Sequence, residues 1–275
     1  MAIRAGTSPA PTIYFDVAGK IEVAEPKVIT KFTGQIARII LNRPEKRNAL
    51  DDETIRLLKI AFTNAEDRRN IKVVVLSGAG KDFCSGADLS VLRKVSKASI
   101  LENWKDAGTL KDLFIQMRWL RKPIVAAIKG RALAGGCGLA TACDVILAED
   151  AAHFGHPEVK IGFIPAIVMA ILRRSISEKR AFELITRGEV FSAADAERYG
   201  LINQVFPSDT FDVDVEKYLQ GFVKVSASAV MLSKYLLYQI DGMSFESAVR
   251  AGADLNAIAR LSEDCQAGIA QFLKK

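Results

Sequence analysis

The stretch GRALAGGCGLATACD, residues 130–144, predicts a tight turn of small residues. It follows the apolar run Ile124–Ile128, which predicts a buried strand. Glycines at positions 135 and 136 let the backbone approach other groups closely. A helix that begins at this turn would add the positive end of its dipole to free N–H groups. The turn is therefore a candidate site for developing negative charge, although close packing or a phosphate cradle fits the same pattern.

Strand signals and helix signals alternate around this stretch. Such alternation predicts βαβ units and a largely parallel sheet. The predicted elements are a hairpin of Val28–Phe32 and Ile36–Leu41 around Thr33-Gly34, a helix from Asp51 or Asp52 to about Asp67, a strand at Lys72–Leu76, a helix from Ser99 to Arg121, and a strand at Val145–Ala148.

The chain after Ile164 is predicted to be mostly helical, with one extended segment at Leu201–Val205. From Asp209 onward we expect helices almost throughout, with turns near Gly221, Asp241-Gly242 and Ser262. The pattern predicts three parts: an N-terminal extension over residues 1–26 with one strand near Thr12–Val17, an α/β core over residues 27–206, and a helical C-terminal region over residues 207–275.

The composition narrows the possible functions. Four cysteines lack metal-ligand spacing and only two histidines are present, so we expect reduced thiols and no metal site. The net charge of +6 comes from small basic clusters among acidic residues, so nucleic acid is not expected as a partner. No apolar run approaches the roughly 20 residues of a membrane-spanning helix. The N-terminus lacks the apolar core of a secretory signal, and we expect a cytoplasmic protein that does not bind membranes.

Two glycine-containing turns follow two buried strands. Ser85-Gly86-Ala87-Asp88 comes after the strand at 72–76, and Ala134-Gly135-Gly136 comes after the strand at 124–128. Ligands of α/β sheets collect beyond the carboxyl ends of the strands. One backbone N–H from each turn could therefore converge on a single carbonyl oxygen, and each donor to an oxyanion is worth about 3 kcal/mol.

The segment HFGHPE, residues 153–158, supplies the candidate acid–base group. Apolar residues near Ile161–Pro165 would raise the pKa of Glu158 toward the range that is useful for proton transfer. The alternative is a surface carboxylate that caps a turn. We expect structural roles for His156 and Asp144. No G-x-S-x-G nucleophile elbow is present, so covalent catalysis is not expected.

Four motifs occur in a characteristic order: NRPEKRNAL at 42–50, KDFCSGADL at 81–89, GRALAGGCGLATACD at 130–144 and HFGHPEVKIGFIP at 153–165. Together they closely resemble the enoyl-CoA hydratase/isomerase (crotonase) superfamily. The resemblance implies a spiral of ββα units with a helical C-terminal trimerisation region, and a homotrimer or homohexamer. It also implies an acyl-CoA thioester substrate, with coenzyme A as part of the substrate and no separate cofactor.

The resemblance also implies roles for individual residues. The N–H groups of Ala87 and Gly135 match the oxyanion hole, and Glu158 matches one of two glutamates that hydratases use for proton transfer. The loops that contact coenzyme A match Lys46, Arg47, Ala49, Ser85, Asp88 and Leu89.

The sequence departs from the family pattern at two places. Gly138 stands where the other hydratase glutamate would be, and FIPAIVMAIL at 163–172 replaces a glycine-rich segment that lines the acyl pocket. We expect an enoyl-CoA hydratase with a single glutamate as general base and acid. The runner-up is an enoyl-CoA isomerase, because moving a double bond requires only one carboxylate. An RNA-binding or catalytically silent member of the family is the alternative from another class.

Overall fold

The computed structural model describes residues 12–15 and 21–274, which form eleven β-strands and eleven α-helices. Strand β1 (Thr12–Phe15) pairs antiparallel with β2 (Ile21–Ala24). The strand predicted near Thr12–Val17 is thus present over its first four residues, and positions 16–17 lie outside the described residues. The other strands are β3 (Val28–Thr33), β4 (Ile36–Leu41), β5 (Val73–Gly78), β6 (Ile124–Ile128), β7 (Arg131–Leu133), β8 (Val145–Glu149), β9 (His153–Gly155), β10 (Val190–Ser192) and β11 (Gln204–Phe206).

The main sheet has six strands in the order β11-β8-β6-β5-β4-β3. All neighbours are parallel except the hairpin β3–β4, in which Thr33 pairs with Ile36. The central strand β6 is buried along its whole length, as expected for a β-branched run between two covered faces. The predicted α/β class, the hairpin and the bounds of β6 are confirmed.

A second sheet has three strands in the order β10-β9-β7. Two isolated bridges, Leu50 with Ala87 and Cys84 with Ala132, extend it toward the loops that follow β4 and β5. Strand β7 lies within the stretch that the sequence predicted to be a turn. Its three residues are too few to show a period of two, which is why the strand was missed.

The α-helices are α1 (Asp52–Asp67), α2 (Leu89–Val95), α3 (Ile100–Trp119), α4 (Gly135–Thr141), α5 (Ala166–Ser175), α6 (Glu178–Arg187), α7 (Ala193–Arg198), α8 (Phe211–Val223), α9 (Ala227–Gln239), α10 (Phe245–Ala259) and α11 (Glu263–Phe272). Asp51 caps α1 by accepting a hydrogen bond from the Thr54 N–H at 2.8 Å, so the predicted helix start is confirmed. Helix α2 was not predicted. It contains no buried residue, so it carries no hydrophobic stripe.

The hydrophobic core lies on both faces of the main sheet. One cluster fills the space between the sheet, α1, α3 and α4. A second cluster on the other face joins Val73, Val125 and Leu147 to Phe211 and Leu219 of α8. The prediction of a turn near Gly221 is wrong, because α8 continues to Val223 and the chain turns just before α9. The packing of α8 on the sheet keeps Gly221 helical despite its low propensity.

Helices α9–α11 bury almost no side chains of their own. Among the described residues of these helices, only Lys234 is buried. Its Nζ donates to Asp144 Oδ2 at 2.7 Å, and Tyr238 donates to Asp144 Oδ1 at 2.6 Å. Asp144 also accepts the Ile124 N–H at 2.7 Å, so its expected structural role is confirmed. Among the described helices, none is both long and apolar enough to cross a membrane.

Candidate active site

The two glycine-containing turns meet at one point of the structure. Leu50 donates its N–H to Gly86 O at 2.7 Å and accepts the Asp88 N–H at 2.8 Å, which holds the first turn against the segment before α1. Gly86 has a φ of +96°, and a Cβ at this position would lie 3.3 Å from Gly135 N. The backbones of the two turns are therefore in direct contact, and the glycine is required for both the angle and the space.

The N–H groups of Ala87 and Gly135 are free to bind a ligand. Leu50 pairs with the residues on either side of Ala87, so the Ala87 N–H faces away from that bridge. Gly135 is the first residue of α4, where backbone donors have no intrahelical acceptor. Within the described part of the chain, neither N–H donates to another protein atom. The predicted pair of donors is thus brought together, and its role in binding an oxyanion stays a prediction.

Backbone strain is concentrated in the same loops. Among residues 12–15 and 21–274, the non-glycine residues with positive φ are Arg47 (+50°), Asn48 (+55°) and Ala134 (+51°). Ala134 is held in this conformation by a hydrogen bond from its N–H to Gly155 O at 2.8 Å. Such angles cost about 1–3 kcal/mol each and persist where the surroundings enforce them. The strained Ala134 sets the direction of the next N–H, that of Gly135.

Glu158 lies in the segment that follows β9. It belongs to a short 3₁₀ helix, Pro157–Ile161, and its carboxylate is half-buried with Oε2 unpaired among the described residues. Burial raises the pKa of Glu158 above its ordinary value. Burial also raises the pKa of the Cys137 thiol to about 12, with a contribution from the nearby Glu158 carboxylate. The raised pKa of Glu158 has the direction that the sequence predicted. The apolar residues expected to cause it, Ile161, Phe163 and Ile164, are themselves largely exposed.

The loops predicted to contact coenzyme A also come together. Ser85 donates its N–H to Arg47 O at 3.0 Å, which joins the loop before α1 to the loop before α2. Lys46 and Arg47 expose their cationic side chains, and Leu89 is 70% exposed. These residues are accessible to a ligand, but their role in binding coenzyme A stays a prediction.

Asp88 and Ala49 have internal roles that the sequence did not reveal. Arg43, which is buried, donates to Asp88 Oδ2 at 2.8 Å and to Ala49 O at 2.6 Å. Hydrogen bonds from the Ser90 N–H and hydroxyl, together with Arg43, hold the pKa of Asp88 well below its usual range. The Asp88 carboxylate is therefore occupied by the protein. Its backbone is occupied as well, because its N–H donates to Leu50 O and its carbonyl accepts the N–H groups of Val91 and Leu92.

The space above Gly138 is filled by an apolar side chain. A Cβ built on Gly138 would lie 2.3 Å from Cγ2 of Val168, which is buried in α5. The position at which the resemblance implies a second glutamate is thus covered by an isopropyl group from another helix. Arg43 was not singled out from the sequence, because its partner Asp88 is 45 positions away along the chain. Val168 belongs to the segment 163–172 whose departure from the family pattern was noted, but its contact with Gly138 was not predicted.

Comparison with known proteins places these features in context. The model of the enoyl-CoA hydratase/isomerase family matches residues 31–275. A Thermus thermophilus protein named "Putative enoyl-CoA hydratase" is 37% identical over 88% of this chain and 96% of its own length. The 2,3-dehydroadipyl-CoA hydratase of Escherichia coli is 32% identical over 88% of this chain and 93% of its own.

Two solved structures superpose on this fold. The crystal structure of an enoyl-CoA hydratase from Mycobacterium smegmatis superposes with a TM-score of 0.87 at 29% identity, covering 91% of this chain and 97% of the other. Human enoyl-CoA hydratase domain-containing protein 3 superposes with a TM-score of 0.85 at 26% identity, covering 90% and 97% of the two chains.

Proposed function

Because this chain belongs to the enoyl-CoA hydratase/isomerase family, we propose that it is an enoyl-CoA hydratase with a single catalytic carboxylate. The proposal is supported by the contact of the two turns whose N–H groups, those of Ala87 and Gly135, are free, and by the half-buried Glu158 with its unpaired Oε2. Relatives that are named as hydratases support the reaction class.

Syn addition of water can proceed with Glu158 as the only base and acid. The Glu158 carboxylate removes a proton from water while the water oxygen bonds to C3 of the enoyl thioester. The electron pair of the C2–C3 double bond moves into the thioester, whose oxygen takes the negative charge between Ala87 N–H and Gly135 N–H. The protonated Glu158 then delivers the same proton to C2. One water is consumed, a 3-hydroxyacyl-CoA forms, and the carboxylate is regenerated.

The raised pKa of Glu158 fits both halves of this cycle. A carboxylate with an ordinary pKa is a weak base toward water, whereas a group whose pKa lies nearer to the working pH can act first as base and then as acid. Burial that raises the pKa of Glu158 makes the anion a stronger base and leaves it dehydrated next to the substrate. The unpaired Oε2 is available to the proton that moves.

A second candidate reaction, isomerisation of a 3-enoyl-CoA to a 2-enoyl-CoA, is favoured by the apolar contact of Gly138 with Val168. In that reaction Glu158 removes a proton from C2, the dienolate is held by the same two N–H groups, and the proton returns at C4. The reaction needs no water and no second carboxylate. The apolar Val168 side chain over Gly138 therefore suits isomerisation.

The two reactions are separated by offering crotonyl-CoA and a 3-enoyl-CoA to the same protein and identifying the products by mass spectrometry. The proposal expects 3-hydroxybutyryl-CoA from the first substrate, and replacement of Glu158 by Gln should lower this turnover by at least about 10²-fold. Unchanged turnover in E158Q would rule out the assignment of the base. Binding of the thioester without turnover by the natural protein would indicate a silent scaffold.

Coenzyme A enters as part of the substrate in this proposal. Lys46 and Arg47 are exposed cations on the loop joined to Ser85, and they are suited to its phosphates. The loss of either charge should raise KM for crotonyl-CoA more than it lowers kcat, because the contact lies away from the reacting atoms.

Self-association is proposed from the C-terminal helices. Phe245 is 79% exposed, Leu261 82% and Phe272 79%, and no residue of α10 or α11 is buried within the described chain. An apolar surface of this kind marks an interface. We propose a homotrimer or homohexamer, which light scattering coupled to size exclusion will show. A monomer at micromolar concentration would contradict it.

A further inference from the structure

His156 is a fully buried histidine without hydrogen-bond partners. Its exposed fraction is 0%, and among the described residues neither Nδ1 nor Nε2 has a partner. The other unpaired buried side-chain atoms are Glu158 Oε2 and the amide oxygens of Asn103 and Gln116, whose amide nitrogens are hydrogen-bonded. Leaving a buried polar group unpaired costs about 1–3 kcal/mol. A side chain with all its polar atoms in this state requires an explanation.

The position of His156 links the two parts of the candidate active site. It follows Gly155, whose O accepts the Ala134 N–H at 2.8 Å at the start of α4. It precedes Pro157, which opens the 3₁₀ helix that carries Glu158. Strand β9, which ends at Gly155, is paired on both sides by β7 and β10. The backbone that carries the imidazole is therefore held rigidly between the oxyanion turn and the catalytic carboxylate.

The protonation state of His156 limits what the ring can do. Burial lowers the pKa of His156 to about 4, so the imidazole is neutral near pH 7. A neutral imidazole offers one N–H donor and one nitrogen acceptor. It carries no spare proton for transfer at that pH, and its chemistry there is to hold a polar molecule by hydrogen bonds.

Hydration by one carboxylate lacks a group to orient the water. In the proposed reaction Glu158 accepts one proton of the water, and the oxygen must point at C3. Position 138, at which the resemblance implies a second glutamate, has no side chain, and Val168 covers it with methyl groups that form no hydrogen bonds. The unpaired ring nitrogens of His156 and the unpaired Oε2 of Glu158, two residues apart, are the buried polar atoms in this segment that remain available.

We propose that His156 is a positioning residue that hydrogen-bonds the water molecule which Glu158 activates for addition to C3. This inference rests on the proposed hydratase function. The imidazole keeps its own proton throughout: the water proton passes to Glu158 and then to C2, and the water oxygen bonds to C3. His156 takes the place, by hydrogen bonding alone, of the orienting role that a second carboxylate would play.

The test compares His156→Met, which removes both ring nitrogens, with His156→Gln, which keeps a donor and an acceptor without a titrating group. His153→Gln is the matched control, since His153 is exposed on β9 and lies three residues before His156. Hydration of crotonyl-CoA gives kcat and KM. Affinity for acetoacetyl-CoA, a thioester that cannot be hydrated, reports on the oxyanion turns independently of water.

We expect H156M to lower kcat by about 10²-fold, the usual effect of losing a reactant's orientation. Its KM and its affinity for acetoacetyl-CoA should stay within about threefold, because positioning of water does not contribute to uniform binding. H156Q should recover most of kcat and keep the acid limb of the pH profile that belongs to Glu158. H153Q should behave as the natural protein does.

Three results would overturn the inference: a natural kcat in H156M, equal losses in H156Q and H156M, or a weakened affinity of H156M for acetoacetyl-CoA that matches its loss of kcat. The last two would assign His156 a packing role. Absence of hydration by the natural protein is a different result, because it contradicts the proposed function itself before any variant is compared.

Discussion

The contact between Gly138 and Val168 leads to a quantitative prediction about stability. In the change Gly138→Ala, the new methyl group would lie 2.3 Å from Val168 Cγ2, well inside van der Waals contact. Both residues are buried, so the new methyl group is accommodated only if side chains or one of the two helices shift. Inserting a methyl group into a packed core costs about 1–3 kcal/mol. Alanine in a helix interior gains up to about 1 kcal/mol over glycine, so we expect G138A to range from neutral to about 2 kcal/mol less stable.

Two further variants isolate the steric cost. Gly108→Ala is the matched control, because Gly108 lies inside α3 and a Cβ there would meet nothing within 4 Å. G108A should therefore show the gain in helix propensity alone, about 1 kcal/mol. Val168→Ala removes both methyl groups and leaves only the Val168 Cβ, 3.4 Å from the new methyl. In the double variant G138A/V168A, the substitution at 138 should become stabilising, with a coupling energy of about 1–3 kcal/mol.

Urea unfolding followed by far-UV circular dichroism measures these differences. All variants are compared at one protein concentration, because self-association adds a concentration-dependent contribution to stability. The reasoning fails if G138A and G108A change the free energy of unfolding of the natural protein by the same amount. It also fails if the effect of G138A is the same with Val168 and with alanine at 168, since either result would mean that the isopropyl group moves aside at no cost.

Three other outcomes follow from the site. Burial raises the pKa of Glu158 above the ordinary 4.5. The kcat for crotonyl-CoA should therefore rise with pH through a limb above pH 4.5 as the base form appears, and E158Q should lack that limb. A limb at pH 4.5 or below would contradict a buried base. Arg43→Met leaves the carboxylate of Asp88 buried without its cation, which should lower the free energy of unfolding by about 3–5 kcal/mol. The double variant R43M with Asp88→Asn should lose less of this free energy. An equal loss in both variants would show that the ion pair is not the cause. Gly138→Glu alone should lower the rate of hydration through the clash with Val168. The double variant G138E/V168A should hydrate crotonyl-CoA faster than V168A does. Equal rates in these last two variants would show that the lack of a second carboxylate is not limiting.

Local signals determined most of the framework. The run Ile124–Ile128 has the same bounds in the sequence interpretation and in the structure, because a short apolar run that ends in glycine has few alternatives to a buried strand. The helix at Asp52–Asp67 begins where an aspartate can cap it. The resemblance of four short motifs to one family likewise depends on residues close together in the chain, and the family is confirmed.

The candidate site could be predicted only in part. Glycine-containing turns at Gly86 and Gly135 indicated free N–H groups, and an apolar segment after Glu158 indicated a raised pKa, whose direction the structure bears out. The contact between the two turns needed coordinates, since Gly86 approaches Gly135 only through the bridge of Leu50 with Ala87 and the strained backbone of the preceding Ala134.

The sequence by itself therefore determined most of the elements, the family and the chemical groups that are available. Only the tertiary structure decided which of those groups are used. Asp88 was a candidate ligand in the sequence, but Arg43 occupies its carboxylate from 45 positions away. Gly138 was an empty position, but Val168 fills it from another helix. The physical reason is that secondary structure follows from hydrogen bonds and side chains within a few residues, whereas burial, ion pairing and steric exclusion depend on partners that only folding brings together.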